Sequence, residues 1–221
     1  MTRGGYYPIF LDVNGRRCLV VGGGLIAQRK VAALLAHGAR VTVVSPSVTR
    51  RLAGYARQAR IRHIARRFKS CDLDDAWLVV AATDDQPVNE LVSRAAAARR
   101  IFANVVDQKP LCTFIAPSIV RRGELTIAIS TGGGSPALAK HLRRDLTRTI
   151  GADYAKMLQL LKRLRGVAKE TLPTYNDRKR YFDRLVQGEV FALVRQAQPA
   201  RARRTAWALL NDAAHRNGTH A

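Results

Sequence analysis

A chain of 221 residues is long enough for one domain of ordinary size and a smaller one, each with a hydrophobic core. Its three cysteines are far apart and lie in no CxxC or Cys/His cluster, which argues against a disulfide framework or a structural zinc site. The longest apolar runs are strand-sized, far below the roughly 20 residues that span a bilayer. We therefore expect a cytoplasmic protein without a membrane partner.

The net charge of the chain is +22, from 38 Lys and Arg residues against 16 Asp and Glu residues. A strong positive charge usually points to nucleic acid. The basic residues of this chain are spread over its whole length, however, and form no low-complexity basic tail. Two explanations stay open: an arginine-rich composition without a function of its own, and an electropositive cleft that attracts a polyanionic small substrate.

The chain around its three consecutive glycines predicts a strand, a tight turn and a helix. The spacing Gly22-x-Gly24-x-x-Ala27 matches the dinucleotide-binding pattern, in which small residues let the backbone approach a pyrophosphate. Backbone N–H groups at the start of the helix, at Leu25 and Ile26, would then face the phosphates. The alternative is a glycine turn with a purely structural role.

Strands and helices alternate along the first half of the chain. Strands are predicted at residues 17–21, 40–44, 61–65, 77–82 and 102–106, and helices at 25–37, 48–58 and 87–98. This alternation favours a doubly wound parallel sheet that is covered on both faces. Ligands of such sheets bind beyond the carboxyl ends of the strands, which are here Gly22, Ser45, Thr83 and Asp107. We expect the first three of these residues to contact a cofactor.

The pattern changes after the fifth strand. Two short strands are predicted at residues 112–115 and 124–129 without a helix between them, and Ser135 and Pro136 then begin a helix as its N-cap and first residue. One face of that helix is apolar, so we expect this small module to pair with another surface, such as a second copy of the chain. The sequence from residue 152 onwards is predicted to be helical.

Several stretches of the chain, taken in order, resemble one protein family. They are YPIFL at 7–11, VVGGGLIAQRK at 20–30, VAATDD at 80–85, NVVD at 104–107, FIAPS at 114–118 and STGGGSPALA at 130–139. Together they resemble the precorrin-2 dehydrogenase and sirohydrochlorin ferrochelatase module of siroheme synthases, over about residues 6–150.

This resemblance implies a fold, an assembly and an activity. It implies an α/β protein with an N-terminal NAD-binding Rossmann-type parallel sheet at residues 1–113, a small α+β dimerisation module at 114–150 and a helical C-terminal domain at 151–221. It also implies a homodimer that oxidises precorrin-2 to sirohydrochlorin with NAD, followed in some members by insertion of ferrous iron as a second substrate. Precorrin-2 is a tetrapyrrole with eight carboxylates, which a basic cleft would attract through Arg–carboxylate pairs.

Asp107 is the predicted catalytic residue, at the strand end where the resemblance implies the family's functional aspartate. Dehydrogenation sends a hydride to NAD and a proton to a base, and a carboxylate beside the macrocycle could take that proton. In iron insertion the same carboxylate could accept pyrrole N–H protons or ligate the iron briefly. The alternative role of Asp107 is that of a turn residue that caps the segment after the strand.

The end of the second strand carries Ser45, Pro46 and Ser47, where a dinucleotide site usually has an acid for the ribose hydroxyls. The two serine hydroxyls could bond the ribose instead, and Arg50 or Arg51 could accept a 2′-phosphate. NADP therefore stays open on chemical grounds, whereas NAD is what the resemblance implies. Ser47 could equally be the N-cap of the following helix.

Thr131 and Arg143 are the predicted substrate-binding residues. Thr131 stands in a glycine-rich loop next to a basic helix, where a hydroxyl suits contact with a substrate, and Arg143 is one of the cations of that helix. The alternative for Thr131 is a plain connection between strand and helix. His37 complements the dipole of its own helix and His141 is expected to have no second ligand at helical spacing, so no metal site is predicted.

A second class of function fits the same composition. A non-catalytic protein could use the dinucleotide-binding sheet as a sensor and its arginines to bind the phosphates of nucleic acid. Asp107 separates the two hypotheses, because a carboxylate facing the nicotinamide has no use in a sensor. The enzyme is therefore favoured, with the anionic tetrapyrrole rather than nucleic acid as its partner.

Overall fold

Five parallel strands form the sheet of the N-terminal half of the chain, in a computed structural model that describes residues 5–218. The strands are β1 Arg17–Val21, β2 Arg40–Val44, β3 Ile61–Ile64, β4 Leu78–Ala81 and β5 Phe102–Val105. Their spatial order is β3-β2-β1-β4-β5. The five predicted strands are confirmed, since no strand end differs from its prediction by more than one residue.

Both faces of this sheet are covered by helices, as an all-parallel sheet requires. The helices of this half are α1 Leu25–Ala36, α2 Arg50–Arg57 and α3 Gln86–Ala98. Val20 of β1 packs with Val31 of α1, whereas Val21 packs in a separate apolar cluster with Val92 of α3, so α1 and α3 lie on opposite faces. The predicted doubly wound sheet is therefore confirmed. A short 3-10 helix, Ser70–Leu73, replaces an α-helix between β3 and β4.

The sheet has a point at which the direction of the chain reverses. β1 pairs with β2 on one side and with β4 on the other, so the chain leaves the centre of the sheet in opposite directions after β1 and after β3. Such a reversal opens a crevice at the carboxyl ends of the two central strands.

The predicted strand at residues 112–115 is wrong. The backbone N–H of Thr113 donates to Ala103 O at 2.8 Å, while the N–H of Ala103 donates to the Thr113 hydroxyl at 2.7 Å, so a side chain takes the place of a ladder partner. The N–H of Val105 donates in the same way to Cys112 Sγ at 3.2 Å. This apolar segment therefore covers the free edge of β5 without becoming a sixth strand.

The chain divides into two compact units, Met1–Ala116 and Pro117–Ala221. The second unit begins with an antiparallel hairpin and a helix, β6 Ser118–Arg122, β7 Leu125–Ile129 and α4 Pro136–Thr149. Four further helices follow, α5 Ala152–Thr171, α6 Tyr175–Gln187, α7 Glu189–Arg195 and α8 Pro199–Gly218. The hydroxyl of Ser135 accepts the N–H of Leu138 at 3.2 Å, which confirms the predicted cap of α4. The helical C-terminal region is confirmed, and the strand–strand–helix module is present with its first strand at residues 118–122 instead of the predicted 112–115.

The four C-terminal helices pack around an apolar core of their own. Met157, Leu160 and Leu164 of α5 are buried there. Tyr181 of α6 is also buried, and its hydroxyl donates to Ala206 O of α8 at 3.0 Å. Burial raises the pKa of Tyr181 to about 12. Among the residues with described positions, no helix has both the length and the apolar character needed to cross a membrane.

Candidate functional site

A cleft of about 990 Å³ opens at the carboxyl ends of the parallel strands, where the direction of the chain reverses. Doubly wound sheets bind their ligands at this position. The predicted site residues of the first unit all line it: Gly22, Gly24, Leu25, Ile26, Ser45, Pro46, Ser47, Thr83 and Asp107. The structure therefore brings together nine residues that come from the ends of four different strands.

Three glycines connect β1 to α1, and each meets different surroundings. Gly22 has a φ of +115°, and a Cβ atom there would lie 2.3 Å from Ala82 O. A Cβ atom on Gly23 would lie 1.8 Å from Ser47 O, whereas one on Gly24 would meet open space. Glycine is therefore needed at the first two positions for the turn to close. At Gly24 it leaves the backbone accessible from the cleft.

The N-terminus of α1 lies at this cleft without a capping side chain. Gly24 is its N-cap and offers no side-chain acceptor, and the first turn of the helix holds no acidic residue. Leu25 and Ile26, which begin that turn, line the cleft. Uncapped N–H groups at the positive end of a helix dipole attract an anion such as a pyrophosphate. The glycine turn and this helix end therefore fit the pyrophosphate of a dinucleotide.

The loop after β2 is held by its own serines. Ser45 is buried, and its hydroxyl donates to Ser47 O at 2.7 Å, while His63 Nε2 lies 2.9 Å from Ser45 O. The N-cap of α2 is Thr49, whose hydroxyl accepts the N–H of Leu52 at 3.3 Å. The alternative role of Ser47 as a helix cap is therefore wrong. Ser45 has a structural role in the loop, and its oxygen can still accept a hydrogen bond from a ligand.

The loop after β4 is fixed by hydrogen bonds around Thr83. The Thr83 hydroxyl accepts the N–H of Asp85 at 3.1 Å, and Thr83 O accepts from Asn89 Nδ2 at 3.0 Å. The carboxylate of Asp85 caps α3 by accepting the N–H of Val88 at 3.2 Å. These bonds leave the Thr83 hydroxyl in a position to donate its hydrogen to a ligand in the cleft.

Asp107 follows β5 and is exposed at the same cleft. Its φ is +59°, a left-handed conformation in which Asp and Asn are several-fold enriched over other side chains. The side-chain amide of Gln108 donates a hydrogen bond from Nε2 to Gln86 Oε1, which connects the turn to α3. The buried Cys112 Sγ lies 3.1 Å from Val105 O and 3.3 Å from Gln108 O. An amide and a thiol therefore hold the turn that presents the Asp107 carboxylate.

Lys30 of α1 is electrostatically coupled to Asp107. Burial lowers the pKa of the Lys30 ammonium, and the negative charge of Asp107 opposes that shift. Lys30 lies four residues after Ile26, which places both side chains on the same face of α1. A half-buried ammonium therefore accompanies the predicted catalytic carboxylate.

The cleft that the first unit forms is not lined by a cluster of cations, and an electropositive cleft for the substrate stays a prediction. Its charged lining residues are three carboxylates and one guanidinium, those of Asp84, Asp85, Asp107 and Arg67. The arginines that sequence analysis assigned to a 2′-phosphate, Arg50 and Arg51, are not among the lining residues. Backbone N–H groups, rather than a cluster of cations, are therefore the main attraction for phosphate here.

The predicted substrate-binding residues Thr131 and Arg143 lie in the second unit. The Thr131 hydroxyl donates to Ser135 O and accepts the Ser135 N–H, both at 3.1 Å, so it closes the loop before α4. These bonds suit the alternative of a plain connection between strand and helix. Arg143 is exposed on α4. A substrate contact by either residue stays a prediction.

The two histidines singled out in the sequence have local partners. His37 is the C-cap of α1, and its Nδ1 lies 2.7 Å from Ala33 O. His141 Nε2 lies 3.1 Å from Asp145 Oδ2, so the expectation that His141 lacks a partner at helical spacing is wrong. Within residues 5–218, no group of three or more His, Cys, Asp or Glu side chains could hold a metal ion.

Four contributors to the cleft have no role assigned from the sequence: Gly23 and Lys30, which lie in the VVGGGLIAQRK stretch, and Arg67 and Cys112, which lie outside every stretch that carries the resemblance. Gly23 occupies a position at which the motif accepts any residue, although an unbroken run of three glycines is itself a signal. Lys30 carries a signal in its spacing of four residues from Ile26. The other two have none, because a loop and a buried thiol reach the site through tertiary structure.

A doubly wound parallel sheet, with a glycine turn that leads into an uncapped helix, defines a dinucleotide-binding protein of the NAD(P)-binding class. Family models agree along the chain. A model described as NAD(P)-binding matches residues 9–118. The model of the sirohaem biosynthesis protein central region matches residues 122–149, and that of the sirohaem synthase dimerisation region matches residues 153–210.

Curated relatives carry one name. A siroheme synthase of Methylobacillus flagellatus is 45% identical over 89% of this chain and 42% of its own length. A siroheme synthase of Thioalkalivibrio sulfidiphilus is 42% identical over 90% of this chain and 41% of its own length. The chain belongs to the siroheme synthase family and spans about two fifths of the length of these curated relatives. The resemblance drawn from the sequence motifs is confirmed.

A solved structure is similar over almost the whole chain. It is that of SirC, precorrin-2 dehydrogenase, with a TM-score of 0.75 and 26% sequence identity. The match covers 91% of this chain and 98% of SirC.

Proposed function

We propose that the chain oxidises precorrin-2 to sirohydrochlorin with NAD as the hydride acceptor. The observation that carries this proposal is a carboxylate, that of Asp107, inside the dinucleotide cleft. The match to SirC over 98% of its length supports the same reaction. A dinucleotide sensor has no use for a carboxylate at this position.

The proposed reaction removes one hydride and one proton from the substrate. The glycine turn and the N-terminus of α1 hold the pyrophosphate, which fixes the rest of the cofactor relative to the end of β5. The bound nicotinamide ring supplies the hydride acceptor. As the hydride leaves one substrate atom, Asp107 accepts a proton from another, and the electron pair of that second bond forms the new double bond.

We propose NAD rather than NADP as the cofactor. The hydroxyls of Ser45 and Ser47 supply polar groups for the ribose at the end of β2. A 2′-phosphate would add negative charge to a cleft in which three carboxylates face a single guanidinium, that of Arg67. Parallel equilibrium titrations of the chain with NAD and NADP test this preference, and tighter binding of NADP would contradict it.

We propose Arg143 and Thr131 as contacts for the carboxylates of the tetrapyrrole. The guanidinium of Arg143 is exposed and suits bidentate pairing with a carboxylate. Thr131 lies in a loop with two left-handed glycines, Gly132 and Gly133, at φ values of +62° and +82°.

We propose that the chain functions as a homodimer. Three large apolar side chains of the hairpin and α4 are exposed: Ile119 by 43%, Leu138 by 48% and Leu142 by 39%. Their exposure agrees with the expectation that this module pairs with another surface, and the family model places a dimerisation region next to it, at residues 153–210. A chain that sediments as a monomer at micromolar concentration would contradict the dimer.

The dehydrogenase proposal is tested with purified protein, NAD and precorrin-2 under anaerobic conditions. We expect one NADH for each sirohydrochlorin, both followed by their absorbance, and no NADH when precorrin-2 is left out. Absence of NADH from the complete mixture would overturn the proposal. Ferrous iron added to the same sample tests iron insertion, which we expect to exceed the rate in buffer if Asp107 accepts pyrrole N–H protons.

A further inference from the structure

The helical part of the second unit contains a cavity of about 370 Å³ that the proposed dehydrogenation does not use. Its walls come from α5, α7 and α8. Its floor is apolar and almost fully buried, and consists of Leu160, Val194 and Ala202. Pockets for small molecules usually measure about 300 to 1,000 Å³ and have mostly apolar walls. The cavity therefore has the size and the floor of a small-molecule site.

Three cations surround this apolar floor: Lys156, Arg163 and Arg203. Lys156 and Arg163 are seven residues apart on α5, with Gln159 between them, so all three side chains project from one face of the helix. No carboxylate is among the lining residues. The cavity therefore combines apolar walls with charge of a single sign.

Two neighbouring cations on the same helices have acidic partners. Lys162 of α5 pairs with Glu124, and Arg195 of α7 pairs with Asp153. In the described part of the chain, the three cations of the cavity form neither an ion pair nor a hydrogen bond with the protein. Their mutual repulsion is therefore offset by no fixed negative charge, and an anion in the cavity would relieve it.

We propose that this cavity binds a small dianion with an apolar body, such as an aryl phosphate or an aromatic dicarboxylate. The apolar body would displace water from the floor at Leu160, Val194 and Ala202, while the charged head would bond to the three cations. The helix α8 begins at Pro199, which lines the cavity together with Arg203. The positive end of the α8 dipole therefore lies at the cavity and favours an anion there.

The test is calorimetric titration of the full chain, with the dinucleotide cleft kept saturated by NAD. The probes are phenyl phosphate, phthalate and inorganic phosphate. We expect saturable binding of one organic dianion per chain, about tenfold tighter than that of inorganic phosphate because the ring is buried. The tighter of the two organic probes identifies the head group, phosphate or dicarboxylate. Absence of saturable binding by either organic probe would overturn the site.

A pair of matched double variants locates the binding. R163Q/R203Q removes two cations of the cavity, whereas R165Q/R204Q removes two exposed cations of the same helices that do not line it. We expect R163Q/R203Q to weaken binding at least tenfold and the control to change it by less than about twofold. Equal losses in both variants would show diffuse charge attraction and would overturn the proposal. A changed monomer–dimer equilibrium of R163Q/R203Q with unchanged probe binding would also overturn it.

Discussion

The cleft of the first unit and the cavity of the helical second unit offer an anion opposite kinds of surroundings. The cleft of the first unit, about 990 Å³, has a glycine turn and an uncapped helix end, with three carboxylates and one guanidinium in its lining. The cavity of the second unit, about 370 Å³, has three unpaired cations and no carboxylate. We therefore expect the larger cleft to bind phosphate through the backbone and the smaller cavity to bind an anion through side chains.

This difference explains how a chain of net charge +22 can keep a carboxylate available for chemistry. Cations clustered around a pyrophosphate would also form ion pairs with the Asp107 carboxylate, which would then be less available to accept a proton. In the described part of the chain Asp107 forms no ion pair, and Lys30 reaches it through longer-range electrostatics alone. Backbone recognition of the phosphates would thus leave the proposed proton acceptor unoccupied.

The largest expected effect is the loss of the proposed proton acceptor. Asp107→Asn keeps the shape of the side chain, and Asn tolerates the left-handed φ of +59° as Asp does, so the fold should stay intact. We expect the rate of NADH formation with precorrin-2 to fall by roughly 10²- to 10⁴-fold, with little change in NAD affinity.

Asp84→Asn is the matched control for that variant. Asp84 lines the same cleft and is exposed, so its substitution removes the same charge from that cleft. We expect a small change in rate. Similar losses in both variants would show that the charge of the cleft matters rather than a proton acceptor at Asp107.

A smaller but still large effect is expected from the glycine turn. Gly23→Ala would place a Cβ atom 1.8 Å from Ser47 O, so the loop after β2 has to move. We expect NAD affinity to fall at least tenfold, roughly the loss of one charge-assisted hydrogen bond, together with a lower melting temperature.

Gly24→Ala separates a structural effect from a ligand effect at the same turn, because its Cβ atom would meet open space. We expect the melting temperature of this variant to be unchanged, while NAD affinity falls because a methyl group intrudes between backbone and pyrophosphate. Unchanged affinity in Gly24→Ala would show that the pyrophosphate does not approach this residue.

The smallest effect concerns the helical core. Tyr181→Phe removes the hydroxyl that donates to Ala206 O and should lower the free energy of unfolding by about 1 kcal/mol near neutral pH. Since the folded-state pKa of Tyr181 is about 12 against 10.0 in its ordinary state, its contribution is complete below pH 10 and is lost as the pH rises through 12.

Urea denaturation from pH 8 to 11 measures this difference between wild type and variant. Tyr175→Phe is the control, because Tyr175 is 72% exposed and so loses little packing. A wild-type stability that falls between pH 10 and 11 no faster than that of Tyr181→Phe would contradict the role assigned to this hydroxyl.

The strands of the first unit were predictable because a parallel sheet buried on both faces has continuous apolar strands between clear turn signals. The first strand of the hairpin was predicted at the wrong residues, because the sequence does not show which groups the side chains of those residues contact. Cys112 and Thr113 lie in an apolar run that looks like a strand, but their side chains bond to the backbone of β5. Whether such a segment pairs through its own backbone depends on what lies beside it.

The position of the candidate site was predictable from a general rule of sheet topology. Residues at the carboxyl ends of parallel strands meet at one edge, which brings Ser45, Thr83 and Asp107 to the glycine turn. The distribution of charge was not predictable, because the partner of a cation depends on tertiary structure. Lys162 and Glu124 are 38 residues apart, yet they form an ion pair, whereas the cations of the helical cavity have no acidic partner in the described chain.

The assignment of the dinucleotide to the cleft of the first unit, and not to the cationic cavity of the second, is tested most directly by NAD binding. Gly23→Ala and R163Q/R203Q are titrated with NAD side by side with the wild type. Backbone recognition in the first unit predicts at least tenfold weaker binding in Gly23→Ala and a change of less than about twofold in R163Q/R203Q. The reverse result, with NAD affinity lost in R163Q/R203Q and retained in Gly23→Ala, would contradict the assignment of the dinucleotide to the glycine-lined cleft.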